Sequence, residues 1–210
     1  MHDDAIEHLK KADKVLGRLI RKVGPCDLQA RERCSPFQAL VQSVAHQQLN
    51  GTAANTILKR VMALYPGRPF PTPDDVLATP DDKLRGAGLS RAKVAAIKDI
   101  AAKTVEGVVP ASRVIAKMPD AEILERLTSI RGVGPWTVEM LLMFTLGRED
   151  VFAVDDYGIQ VAMKKLYNLD DSNKKQFKEA LLKRSQKWKP YRTYACMHLW
   201  RWKDAPKETA

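Results

Sequence analysis

The sequence predicts an all-α protein, and three observations predict it. Apolar residues recur three and four positions apart along most of the chain, and hydroxyl, acidic and proline start signals precede those runs. Glycine and proline punctuate their ends, and no stretch alternates polar and apolar residues as a half-buried strand does. With 210 residues and 45% hydrophobic content the chain can bury a core as one domain or as two tightly joined helical lobes. Collagen-like, disordered and disulfide-stapled miniature folds are excluded by the same figures.

Ile6, Leu9, Leu16, Leu19, Ile20 and Val23 lie at helical spacing behind the acidic start Asp3-Asp4, and Gly24-Pro25 stops the run, which predicts one amphipathic helix over residues 1–23. Ser35-Pro36-Phe37-Gln38 supplies an N-cap, a first-turn proline and an N3 glutamine suited to a capping box, so a helix with Phe37, Leu40, Val41 and Val44 inward runs to about Leu49. The next carries Ala53, Ile57, Val61 and Leu64 up to Pro66-Gly67. Thr72-Pro73-Asp74-Asp75 and Thr79-Pro80-Asp81-Asp82 repeat one start signal and predict two short helices, each capped by its threonine. Gly86 and Gly88 close the second. Ser90 caps a helix with Val94, Ile97 and Ile100 that Gly107 ends, and a short helix follows from about Asp120 to Thr128.

Thirty-five Lys and Arg against twenty-five Asp and Glu leave a net charge of +10, which points to a polyanion: nucleic acid or an anionic membrane surface. No helix sets a strongly apolar stripe against a Lys/Arg face, so nucleic acid fits better and no membrane partner is expected. Cys26, Cys34 and Cys196 form no CxxC pair, which supports neither a disulfide framework nor a zinc ribbon and suits a reducing compartment. The acidic, amphipathic start is unlike a signal peptide, and the longest apolar run is Met140 to Phe144, so the protein is expected to be soluble and retained in the cell.

Leu127-Thr-Ser-Ile-Arg-Gly132-Val133-Gly134-Pro135-Trp136-Thr137 joins an apolar helix end, a Gly-Val-Gly turn and a proline opening a second helix: a helix-hairpin-helix. Glycines allow a phosphate close to the backbone, and the N–H groups and dipole of the following helix favour its charge, which grips a strand without reading sequence. Glycine also serves ordinary αα-turns, but in a chain of this charge the phosphate reading is favoured. It assigns Gly132, Val133, Gly134 and Thr137 to phosphate binding. About twenty residues on, Val151-Phe-Ala-Val-Asp155-Asp156-Tyr157 sets two carboxylates at the start of the next helix. Such a pair is common as a cap, and it also suits chemistry that develops positive charge.

In this combination of hairpin, Gly/Pro loop and following aspartate, the chain resembles the helix-hairpin-helix DNA glycosylase superfamily, and within it the 3-methyladenine DNA glycosylase II family of alkylpurine glycosylases. The match extends over about residues 35–203, through Ser35 to Ala54, Phe70-Pro-Thr-Pro, Gly-Val-Gly-Pro-Trp-Thr, Val-Phe-Ala-Val-Asp-Asp-Tyr and Trp188-Lys-Pro-Tyr-Arg-Thr-Tyr-Ala195. The resemblance implies a single glycosylase domain of two helical lobes, one over about 35–148 and the other from 1–34 with 149–210, with the active-site cleft between them. It implies a monofunctional enzyme that flips out and hydrolyses alkylated purines of the 3-methyladenine and 7-methylguanine type in base excision repair.

It further implies that Asp156 is the catalytic carboxylate and Asp155 a capping neighbour. Trp136 and Trp200 become walls of the base pocket, and Met140 lies one helical turn after Trp136 on the same face. Cationic alkylpurines are attracted to indole faces through the ring quadrupole. Relatives that also cleave the backbone carry a lysine where this chain has Trp136, so no lyase step is expected. Endonuclease-type relatives hold an iron-sulfur cluster on four C-terminal cysteines, whereas only Cys196 lies in that region, so no cluster is expected. No cofactor is required; superfamily hairpins hold a monovalent cation, Na+ or K+, and the carbonyls would be those of Thr128, Ile130 and Val133.

Val44-Ala-His46-Gln47-Gln48-Leu49-Asn50 matches the family loop that plugs the gap left in the duplex. Gln48 aligns with the intercalating position and Leu49 is the alternative plug. His46 either contacts DNA or satisfies local backbone. Residues 174–203 hold ten Lys or Arg and one acid, Glu179, among Trp188, Tyr191, Tyr194, Trp200 and Trp202. That segment reads as a DNA-facing surface backed by aromatics or as two amphipathic helices with solvated lysines. The partner is then double-stranded DNA containing alkylated bases, bound by a monomer, nucleoid-associated in a bacterium or nuclear in a eukaryote. The competing readings are a non-catalytic helix-hairpin-helix protein that binds damaged DNA and a glycosylase for other damaged bases.

Overall fold

The computed structural model describes residues 2–26, 28, 34–49 and 51–205, and Met1 of the first expected helix and Asn50 of the plug segment lie outside them. Among the described residues the protein is all helical: thirteen α-helices and one 3-10 turn. By its internal contacts the chain divides into two compact units, Met1–Ala30 with Gly147–Ala210, and Arg31–Leu146.

The continuous unit is built from α3 (Pro36–His46), α4 (Gly51–Ala63), α5 (Pro73–Ala78), α6 (Asp81–Gly86), α7 (Arg91–Val105), α8 (Ser112–Ile115), α9 (Asp120–Thr128) and α10 (Pro135–Phe144). α7 packs against α3, α5 and α6, and α10 against α3 and α9. Leu40, Val44, Leu84, Val94, Ile97, Ile100, Ile123, Leu127 and Val138 are buried there. Each fully buried Leu or Ile stabilises the unit by about 1.5–3 kcal/mol relative to exposure.

Ser35 caps α3 through Gln38 N at 3.2 Å, and Ser90 caps α7 through Lys93 N at 3.3 Å. Thr72 and Asp75 close a reciprocal capping box at α5. The second copy of that signal works differently. Thr79 does not cap α6, which starts from Pro80 without a side-chain cap. Its hydroxyl donates to Asp75 O at 2.7 Å and meets Tyr65 Oη at 2.8 Å, so it is committed to the preceding helix. α3 also stops three residues before Leu49, at His46, and Gln48 adopts φ +57°.

The other unit joins α1 (His2–Ala12) and α2 (Lys14–Val23) to α11 (Tyr157–Tyr167), α12 (Lys174–Ser185), the 3-10 turn Gln186–Trp188 and α13 (Arg192–Asp204). The single helix expected over 1–23 is two, and Asp13 is the reason. Its φ of −142° is extended, and its Oδ1 caps α2 by accepting from Val15 N at 2.9 Å and Leu16 N at 3.1 Å. Its Oδ2 accepts from Tyr167 Oη at 2.9 Å and Trp188 Nε1 at 3.3 Å. This carboxylate is 5% exposed, and Trp188 is fully buried. Burial and the adjoining Asp13 charge push the Tyr167 phenol well above its ordinary range. A helix uninterrupted at residue 13 would forfeit this cap and its two cross-chain partners.

Candidate active site

α9, the turn and α10 form the expected hairpin. Leu127 O accepts from Ile130 N at 3.2 Å and Ile130 O from Val133 N at 3.1 Å. Gly132 has φ +76°, and a Cβ there would stand 2.6 Å from Ala96 Cβ on α7, so both backbone and packing demand glycine. Gly134 differs: it is the N-cap of α10, and a Cβ would meet nothing within 4 Å. Open space at a helix N-terminus is what an approaching phosphate needs. Val133 is buried, and Thr137, 1% exposed, uses its hydroxyl inside the fold.

The partner of that hydroxyl is Gln47, a residue for which the sequence carried no signal beyond a Gln-Gln pair. Gln47 Nε2 donates to Gly132 O and to Thr137 Oγ1, both at 3.0 Å. The expected plug turn is therefore fastened to the hairpin. Lys93 adds a second tie by donating to Ala45 O at 2.8 Å, and burial holds its ammonium below the usual lysine range. Directly after these ties Gln48 is exposed with φ +57°, a region costing a non-glycine residue on the order of 1–3 kcal/mol. Leu49 beside it is 39% exposed.

Trp136 and Met140 come together as their spacing on α10 predicts. With Gln42, Ser43, His46 and Phe144 they line a cavity of about 220 Å3 within this unit. That lies below the about 300–1,000 Å3 of drug-sized sites and suits one heterocycle.

In the other unit, Asp156 is the N-cap of α11: its Oδ1 accepts from Ile159 N at 2.8 Å and from Trp200 Nε1 at 2.7 Å. The indole N–H of Trp200 thus orients the carboxylate. Gly158 makes the pairing fit; a Cβ there would lie 3.0 Å from Asp156 Oδ1 and 3.0 Å from Trp200 Cδ1. Asp155, expected to be the capping neighbour, is not the cap. It is exposed and takes Lys178 Nζ at 2.7 Å, while the capping falls to Asp156.

The loop leading to Asp156 is held by the start of α13. Arg192 grips the Asp150 carboxylate in a fork at 2.6 and 3.0 Å. Thr193 Oγ1 donates to Arg148 O at 2.7 Å and accepts from Val151 N at 3.0 Å. Tyr194 Oη donates to Glu149 Oε1 at 2.8 Å, and burial and that carboxylate push the phenol up to about 12. The Trp188-to-Ala195 segment, matched in sequence without a stated role, earns one here. Among the described residues no group of three or more His, Cys, Asp or Glu is placed to hold a metal ion, and no helix is long and apolar enough to cross a membrane.

The chain is similar to several known proteins. DNA-3-methyladenine glycosylase 1 of Schizosaccharomyces pombe is 35% identical over 92% of this chain and 84% of its own length. The solved structure of the Schizosaccharomyces pombe 3-methyladenine DNA glycosylase Mag1 in complex with abasic DNA superposes with a TM-score of 0.85, covering 94% of this chain and 95% of that one. A DNA-3-methyladenine glycosidase from Bacillus halodurans, 32% identical, gives 0.80 over 96% of this chain and 89% of its own. Residues 41–187, well over half of the chain, match the HhH-GPD superfamily base excision DNA repair proteins, and the chain belongs to that superfamily.

Proposed function

We propose that the protein is a monofunctional DNA glycosylase that flips out alkylated purines and hydrolyses their N-glycosidic bond. The observation that carries this reading is Asp156, fixed by Ile159 N–H and by the Trp200 indole N–H on the helix that follows the hairpin loop. Relatives named as 3-methyladenine DNA glycosylases, 35% and 32% identical, support the substrate class.

The chemistry follows from the carboxylate. The bond between C1′ and the base nitrogen breaks with its electron pair going to the base, and positive charge develops on the sugar. A fixed carboxylate in a partly desolvated place stabilises that charge. Water then bonds to C1′ and passes its proton to Asp156. A cationic alkylpurine leaves as a neutral base and needs no proton from the protein. Trp136 and Met140 would hold the base, with the cation over the indole face. Gln48, or Leu49 beside it, would fill the gap in the duplex, and Gly132, Gly134 and the start of α10 would seat a phosphate. Position 136 offers no amine for a Schiff base, which supports the absence of a lyase step.

The carbonyls of Thr128, Ile130 and Val133 would hold a monovalent cation. Neutral carbonyl oxygens suit such an ion, and Ile130 O keeps a second lone pair beyond its bond to Val133 N. Bound there, the ion would add positive charge beside the phosphate.

The test is release of free base from duplex DNA treated with a methylating agent, resolved by chromatography, for wild type and Asp156→Asn. Asparagine keeps the cap on α11, so binding should persist while release disappears. Tight binding without release by the wild type would instead favour a non-catalytic damage-binding protein. Strand scission, or borohydride trapping of a covalent adduct, would refute the monofunctional assignment.

A further inference from the structure

The cavity beside Trp136 and Met140 has a polar member that the glycosylase reading leaves unused. His46 stands at the end of α3, and its Nδ1 lies 2.8 Å from Gln42 O. A carbonyl oxygen only accepts, so Nδ1 carries the hydrogen. In the neutral ring the tautomer is thereby set, and Nε2 presents a lone pair. The other polar lining groups have no such fixed sense, since the Ser43 and Thr145 hydroxyls and the Gln42 amide can donate or accept, while the Trp136 N–H only donates. The indole and thioether walls take a flat base with little regard for its edge. The anchored imidazole does not.

We propose that His46 is a specificity-determining residue that accepts a hydrogen bond from an N–H on the edge of the flipped purine. The proposal rests on reading this cavity as the seat of the base. Its consequence is a preference for purines that keep a free amino group over those in which a ring has been closed across it. An N-methylated adenine retains its exocyclic N–H, and 7-methylguanine retains an amino group and a ring N–H. In 1,N6-ethenoadenine the bridge consumes both nitrogens, leaving nothing to donate. Burying that base against His46 strands an acceptor, the more costly side of a hydrogen-bond mismatch.

The experiment compares single-turnover release of 7-methylguanine and of 1,N6-ethenoadenine from duplexes carrying one lesion each, for wild type, His46→Ala and Trp136→Ala, with thermal melts of all three proteins. His46→Ala should slow 7-methylguanine release about tenfold and leave ethenoadenine release unchanged or faster. Equal losses on both lesions would overturn the proposal and reduce His46 to a structural residue. Trp136→Ala separates the two levels. It should slow both lesions, and if it slows neither, the cavity does not seat the base and the underlying reading fails as well. An independent check is the 15N spectrum of the His46 ring in the wild-type protein. A hydrogen on Nδ1 is expected, and one on Nε2 in the neutral ring would overturn the proposal even if a variant failed to fold.

Discussion

Replacing Gly158 with alanine is expected to separate base release from stability. The added Cβ would sit 3.0 Å from Asp156 Oδ1, 3.0 Å from Trp200 Cδ1 and 3.2 Å from Trp200 Nε1, between the two partners of the 2.7 Å hydrogen bond. Contacts that short force a displacement of a few tenths of an ångström. The group that yields is the carboxylate or the indole, because the backbone of Gly158 is fixed in the first turn of α11. A charge-assisted hydrogen bond of this kind contributes about 1.5–3 kcal/mol, so its loss corresponds to roughly 10- to 150-fold in rate if the bond positions the reacting carboxylate. Stability should move little, because alanine in a helix is favoured over glycine by about 0.5–1 kcal/mol, which offsets the crowding. The assay is single-turnover base release from methylated duplex alongside a thermal melt, with Trp200→Phe as the companion that keeps a ring and removes the N–H. Slow release with an unchanged melt is expected for Gly158→Ala. Release at the wild-type rate, or a loss of rate matched by a collapse of the melt, would refute the positioning argument.

The two neighbouring glutamines should behave oppositely. Gln47→Ala removes two bonds to the hairpin and should lower stability by about 1–2 kcal/mol, whereas exposed Gln48→Ala should leave the melt unchanged and weaken binding to abasic DNA more than to intact duplex. Equal losses on the two DNAs would remove the gap-filling role from Gln48. Asp13→Ala unfastens the α2 cap, Tyr167 and Trp188 together and should cost about 3 kcal/mol, a fall of roughly 6–12 °C in Tm for a chain of this size. Alkali should destabilise the fold through Tyr194. Its folded value is raised to about 12 from about 10, so the unfolded chain loses that proton first, and stability present below pH about 10 declines as pH rises toward about 12. Tyr194→Phe should make that limb shallower in denaturant titrations, the rest of the slope coming from Tyr167, whose phenol is raised as well.

Whether a feature was legible in the sequence depended on how far away its partners stood. Ser35, Thr72 and Ser90 were readable as caps because each cap is closed within three residues. Thr79 carries the same local signal as Thr72, yet its hydroxyl is claimed by Tyr65, 14 positions away, and by Asp75 O. Asp13 looks like any polar residue on an amphipathic helix until Tyr167 and Trp188, 154 and 175 positions distant, converge on it. Asp155 and Asp156 are chemically identical, and what distinguishes them is Lys178 for one and Trp200 for the other. The hairpin was legible from its glycines, but the fastening of the plug turn by Gln47 depends on a side chain reaching 85 and 90 positions along the chain.

The discontinuity of the unit that carries Asp156 bears on when the protein becomes competent during synthesis. Residues 31–146 form a contiguous unit whose partners emerge in succession. α1 and α2 emerge before that unit and then wait, since Asp13 lacks Trp188 and α2 lacks α13 until residues 188–204 appear. At about 5–20 residues per second that delay is roughly 8–30 s. The carboxylate is aligned only once Trp200 arrives. A ribosome-bound or prematurely terminated product would thus display a complete hairpin before it possessed an Asp156 oriented by Trp200.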